Sequence, residues 1–186
     1  GQTVNGIEVT GGNTLTINSP FNFASTSNQL VKNGNGVLEL NAANTAGWNG
    51  SISAPAGTTQ VLTGGLLVNS GIVRILNANA LDQSGNVIAV NNTSGAAVQI
   101  GGGITVANQL VLNTIAGNAY AGGINWGGAL QSIGSGVTNT WSGPISENQD
   151  SGITADAANT LNLTGGVPFN AHIVIFGAAG TVNLTD

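Results

Sequence analysis

Glu147, Asp150 and Asp156 stand close together in "SENQDSGITAD", the only place where this chain gathers acids. Paired carboxylates can serve as acid and base in glycoside hydrolysis, or hold a calcium ion. Such sites generally place basic residues beside the acids. Here the only two cations, Lys32 and Arg74, lie far away in sequence. The favoured reading is therefore a solvated loop between strands, with Lys32 and Arg74 as isolated surface charges.

His172 is the single histidine, in "FNAHIVIF". No Gly-x-Ser-x-Gly elbow accompanies it, and a catalytic triad is recognised by geometry rather than by sequence position. Beside an apolar run it reads as a strand-start or turn residue. The Gly-rich "GGGITVAN" at 101–108 lacks the Gly-Lys-Ser/Thr of a phosphate loop and opens no helix. There is no cysteine, and the Gly-Gly-x-Gly-x-Asp nonapeptide of calcium-loaded rolls is missing. The expectation is no catalytic residue, no cofactor and no metal.

Two of the three tryptophans fall in one phrase, "WNGSIS" at 48–53 and "WSGPIS" at 141–146. Asn44-Thr45 precedes the first and Asn139-Thr140 the second. As copied structural units, both would place a ring at a corner, a Gly at a bend and an Ile inside. The rival is a pair of stacking platforms for carbohydrate, which exposed Trp suits. The structural reading is favoured, because large aromatics are usually at least partly buried.

The elements that must carry these residues are strands. Charged residues are 5% of the chain, against roughly a quarter in an ordinary soluble domain. Gly numbers 30 and Asn 26, yet 41% of residues are hydrophobic, mostly the small and branched kinds that suit strands. Short runs alternate apolar with polar residues and close on Asn, Thr or Gly: "NTLTIN" at 13–18, "GVLELN" at 36–41, "NTLNLT" at 159–164 and "GTVNLT" at 180–185. Each predicts a strand with one buried face and a turn residue at its end. No segment has helical periodicity.

Spacing sets the architecture. Leu15 to Leu38 is 23 residues, Leu38 to Val61 is again 23, and Leu161 to Val182 is 21. Repeats of this length predict a solenoid, a parallel β-helix with coils of about 20–25 residues. Residues 1–186 then form a single β-helix domain. In such a stack Asn at the corners forms amide ladders, and like charges one coil apart repel, so charge is scarce. Sequons at Asn49, Asn91, Asn92, Asn162 and Asn183 are what this much Asn, Ser and Thr yields by chance.

The run from 30 to 81 resembles the autotransporter-associated β-strand repeat of bacterial surface proteins. Leu30, Lys32, Gly34, Gly36, Leu38 and Leu40 match its opening, and Asn44, Thr45, Trp48 and Gly50 its Asn-Thr-aromatic-x-Gly phrase. Gly71 and Val73 fall where its closing strand begins. The match continues less densely to about residue 166, and "NTAGW" inserts two residues that "NTW" at 139–141 lacks. The resemblance implies a right-handed parallel β-helix displayed outside the cell, and no particular activity.

Net charge is −5. Two cations cannot line a phosphate backbone or an anionic membrane, which excludes nucleic acid and electrostatic lipid binding. The most apolar stretch, at 171–180, is far short of the ~20 residues of a membrane helix. No cap is legible at either end, and the chain has no Met. The expectation is a segment of a longer passenger, paired with neighbouring coils, or a subunit that stacks end to end into a filament. A non-enzymatic extracellular or cell-surface scaffold follows, with a polysaccharide-binding or -degrading β-helix as the alternative. Ice binding through Thr14-x-Thr16 and Thr138-x-Thr140 needs the pairs to repeat in register, and the sequence does not repeat them.

Overall fold

The computed structural model describes residues 4–20, 28–44, 50–52, 62–82, 86–91, 95–112, 128–148, 150–168 and 174–185. These contain strands and no helix. The alternating runs become strands because their inward Leu, Val and Ile leave water while their polar neighbours stay outside.

The chain winds through successive coils. The first contains β1 (Val4–Glu8) and β2 (Thr14–Ile17), and the second β3 (Gln29–Asn33) and β4 (Val37–Leu40). After the short β5 (Gly50–Ile52), the third contains β6 (Leu62–Val68) and β7 (Ile72–Ile75). The fourth adds a third side, with β8 (Val87–Val90), β9 (Ala97–Ile100) and β10 (Thr105–Val106). The fifth has β11 (Gln109–Leu112), β12 (Leu130–Ser132) and β13 (Thr138–Trp141). The sixth has β14 (Ile145–Glu147), β15 (Ser151–Ala155) and β16 (Thr160–Leu163), and the last β17 (Val174–Ala178) and β18 (Thr181–Leu184).

Each strand hydrogen-bonds to its counterpart one coil away, which makes three sheets. The first runs β1-β3-β6-β8-β11-β14, the second β2-β4-β7-β9-β12-β15-β17, and the third β10-β13-β16-β18. All these pairings are parallel; only β5, set against β6, is antiparallel among the described residues. This is the stacked parallel β-solenoid that the repeat spacing predicts.

The core is a set of columns. Leu38, Val73, Val98, Leu130 and Ile153 follow one another in register on the second sheet, and all five are fully buried. Burying each such side chain contributes about 1.5–3 kcal/mol. Leu30, Leu66, Ile88, Leu110 and Ile145 form the facing column on the first sheet. Val106, Trp141 and Leu163 close the same core from the third. A second, smaller apolar cluster, Leu62, Val87, Ala89 and Val111, also draws on the first sheet, with Leu67 packed against it.

Two sequence expectations change here. Leu15 does pair with Leu38, and Leu161 with Val182. Leu38, however, pairs with Val73, not with Val61, which lies outside the described residues. A side excursion that includes β5 lengthens this coil. The two Trp phrases are consequently not equivalent: Gly50–Ile52 pairs antiparallel with β6, whereas Ile145–Glu147 is a parallel rung of the first sheet.

Candidate functional site

Two of the buried ionisable groups, Lys32 and Glu147, lie where the first sheet turns into the second; Asp82 lies on the opposite connection, between β7 and β8. Lys32 follows Leu30 by two residues, so it shares the inward face of β3. It is fully buried, which corrects its reading as a surface charge. Its ammonium donates to the carbonyls of Asn33 (2.9 Å), Gly34 (2.8 Å) and Ser70 (3.1 Å), satisfying all three protons. Ser70 belongs to the next coil, so the lysine ties two corners together. Burial pulls its pKa below the usual lysine value. Gly71 makes room: a Cβ there would sit 2.3 Å from the Gly34 carbonyl and 2.8 Å from the Lys32 ammonium, and its φ of +67° is left-handed. The Lys-x-Gly-x-Gly opening is thus a structural staple.

An amide ladder runs beside it. Asn69 donates to Asn33 at 2.8 Å and Asn91 to Asn69 at 2.6 Å. Asn41 likewise donates to Asn18. Corner asparagines therefore stack as the composition predicts, and the Asn91 sequon is spent in the stack.

Glu147 occupies the corresponding inward place at the end of β14, two residues after the buried Ile145. Neither of its carboxylate oxygens has a hydrogen-bond partner among the described residues. Burial, aided by the nearby Asp150, pushes its pKa up to about 7. Across the corner, the buried Ser151 hydroxyl is also unbonded. This corrects the reading of the acids as one solvated loop. Glu147 is sealed inside, while Asp156 is exposed in the turn after β15, at a different corner. The three carboxylates are not assembled as a pair flanking an open cleft, and no cluster of metal-ligating side chains exists among the described residues.

Arg74 is not isolated either. It faces outward on the second sheet in the register column Thr16, Glu39, Arg74, Gln99, Gln131. Its guanidinium meets Glu39 at 3.2 Å and donates to Gln99 at 3.0 Å. Gln99 donates to Gln131 at 2.7 Å, and Thr16 donates to Glu39 at 3.3 Å. Opposite charges one coil apart attract, so this column tolerates what like charges would forbid.

Trp141 is fully buried in β13 rather than displayed as a platform. Gly143 behind it lets the backbone pass against the previous coil, since a Cβ there would sit 2.0 Å from the Asn108 carbonyl. Trp48 and His172 lie outside the described residues. The Gly-rich 101–108 segment leads into β10, not into a helix.

The third sheet turns uncharged side chains outward. Thr138, Thr160 and Thr181 stand in register in three consecutive coils. Beside them run Thr105, Thr140, Asn162 and Asn183. The Thr-x-Thr pair as such does not repeat, but its first position does. That repeat was invisible in the sequence because coil boundaries were unknown. Thr14 and Thr16 pair instead with Val37 and Glu39.

Comparison with protein-family models, curated proteins and solved structures finds no match.

Proposed function

We propose that this chain is a non-enzymatic structural scaffold, a rod segment of a bacterial surface or matrix protein. The observation that carries the reading is the unbroken second sheet, seven strands long, over a filled core. Such a stack resists bending because every coil is hydrogen-bonded to the next. Apart from Asp150 near the sealed-in Glu147, the candidate chemical residues do not converge: Lys32 is buried in its own corner, Arg74 is engaged in a ladder, and Asp156 is exposed at another turn, where it accepts from the Gly134 amide. The resemblance of residues 30–81 to the autotransporter-associated repeat, read from the sequence alone, is what supports display outside the cell.

Both end coils favour continuation. Leu15 is 42% exposed and Phe176 39%, although their register partners Leu38 and Ile153 are fully buried. A further coil, from the same chain or a second copy, would cover them and pair the open strand edges. Negative-stain electron microscopy tests this. Uniform rods or filaments growing end to end are expected. Compact single particles that bind or cleave polysaccharide would overturn the scaffold in favour of the carbohydrate alternative.

A further inference from the structure

We infer that the corner between β14 and β15 is a calcium site, with Glu147, Asp150 and Ser151 as its side-chain ligands. This goes beyond the scaffold reading and does not depend on it.

The corner has the same length as the one that holds Lys32. Lys32 and Glu147 share one inward column, and Leu38 and Ile153 share the next, each column a chain of register pairs. The chain takes six residues from Lys32 to Leu38 and again six from Glu147 to Ile153. It takes five from Val68 to Val73 and eight from Val90 to Val98. In the Lys32 corner the carbonyls of Asn33, Gly34 and Ser70 converge on a positive charge. A turn of this length at this column can therefore present main-chain oxygens inward. The sixth coil places a carboxylate where the second places the ammonium.

The oxygens at this corner lack a donor. Glu147 is 1% exposed and Ser151 not at all. Neither the carboxylate nor the hydroxyl has a hydrogen-bond partner among the described residues. Asp150 lies between them in sequence, close enough for its charge to act on Glu147. Asp150 and Asn148 are partly exposed, which leaves the corner a side open to solvent. Lys32 and Arg74 are the only Lys and Arg in the chain. The first is held four coils away, and the second meets Glu39 on the outer face of another sheet. No ammonium or guanidinium of this chain can neutralise Glu147, whereas an ion from solvent can.

The ligand chemistry selects the ion. The side chains offer two carboxylates and a hydroxyl, all oxygen, which suit a hard cation rather than zinc or copper. Two negative charges favour a divalent one. No group of three acids or histidines gathers among the described residues, so main-chain carbonyls must complete the shell, as they do around Lys32. Calcium accepts roughly six to eight oxygens in flexible geometry, while magnesium demands a near-ideal octahedron. An irregular corner fits the first. When calcium is absent, a proton neutralises Glu147 in its place.

The test is isothermal titration of chelator-stripped protein with calcium chloride at pH 8, paired with thermal unfolding followed by circular dichroism. Saturation at one calcium per chain is expected, with a melting temperature that climbs as calcium is added. Magnesium should raise it far less. Glu147→Gln, almost the same size, should stay folded and abolish both the heat and the rise. Ser151→Ala should weaken binding about tenfold, the effect of one lost contact. Asp156→Asn, an exposed acid at another corner, should leave binding intact. Neither heat nor thermal shift with the native chain at millimolar calcium would overturn the inference, as would undiminished binding by folded Glu147→Gln. Binding lost in Asp156→Asn but kept in Glu147→Gln would overturn it in favour of an adventitious ion only.

Discussion

Lys32 and Glu147 stand in the same inward column of the first sheet, separated by Val68, Val90 and Leu112. Four coil steps put them about 19 Å apart along the stack. They cannot form an ion pair, and each meets burial alone. Lys32 solves it with three backbone carbonyls. Glu147 has no donor among the described residues, so its neutral form is the one the interior accepts.

Glu147 makes stability depend on pH. Its pKa is about 7 in the folded chain against 4.5 for the free group. The folded state binds the proton more tightly, so this contribution is fully present below about pH 4.5 and is lost as pH rises through 7. The difference amounts to roughly 3 kcal/mol across that window. Glu147→Gln is expected to remove this slope and to raise the melting temperature at pH 8 but not at pH 4.5. Thermal unfolding followed by circular dichroism at both values checks it.

Lys32→Met keeps the stem of the side chain and removes the three donated bonds. Asn33 keeps the bond from the Val9 amide and Gly34 the one from the Ser70 hydroxyl, so the loss falls chiefly on the Ser70 carbonyl, and one unpaired group costs about 1–3 kcal/mol. The unfolding free energy from urea titration should fall by about that much. If Lys32 were a surface charge, the same change would be near neutral, since surface substitutions usually stay within about 0.5 kcal/mol.

The Glu39–Arg74 pair should be worth far less than its place in a ladder suggests. Its side chains are 16% and 28% exposed, and partly exposed ion pairs give about 0.2–1 kcal/mol. A double-mutant cycle with Glu39→Gln and Arg74→Met is expected to show coupling in that range, falling as salt is added. Val73→Ala, which opens a cavity in the fully buried column beside it, should cost more than the whole pair.

Trp141→Ala should cost about 3–5 kcal/mol through the cavity it leaves. Trp141→Phe should cost much less, because it also removes a buried indole N–H with no hydrogen-bond partner. Soluble polysaccharide should bind both folded variants and the native chain alike, since the ring is sealed from solvent. Isothermal titration would expose a stacking role by a loss confined to the variants.

The sequence by itself determined the kind of fold, because strand alternation and corner residues are local properties. Every run read as a strand in 13–18, 36–41, 159–164 and 180–185 is one, and the steps from Leu15 to Leu38 and from Leu161 to Val182 are true register pairs. The inward positions of Lys32 and Glu147 were also legible in principle, each two residues from a core aliphatic. Composition masked them, because charged residues are usually assigned to solvent. Only the tertiary structure decided which coil each residue rests on. Excursions such as the one before β6 change coil length without changing the alternation, so Leu38 meets Val73, the two Trp phrases part company, and three threonines fall into one row. Register between distant segments is fixed by the closure of whole coils, and no local pattern encodes it.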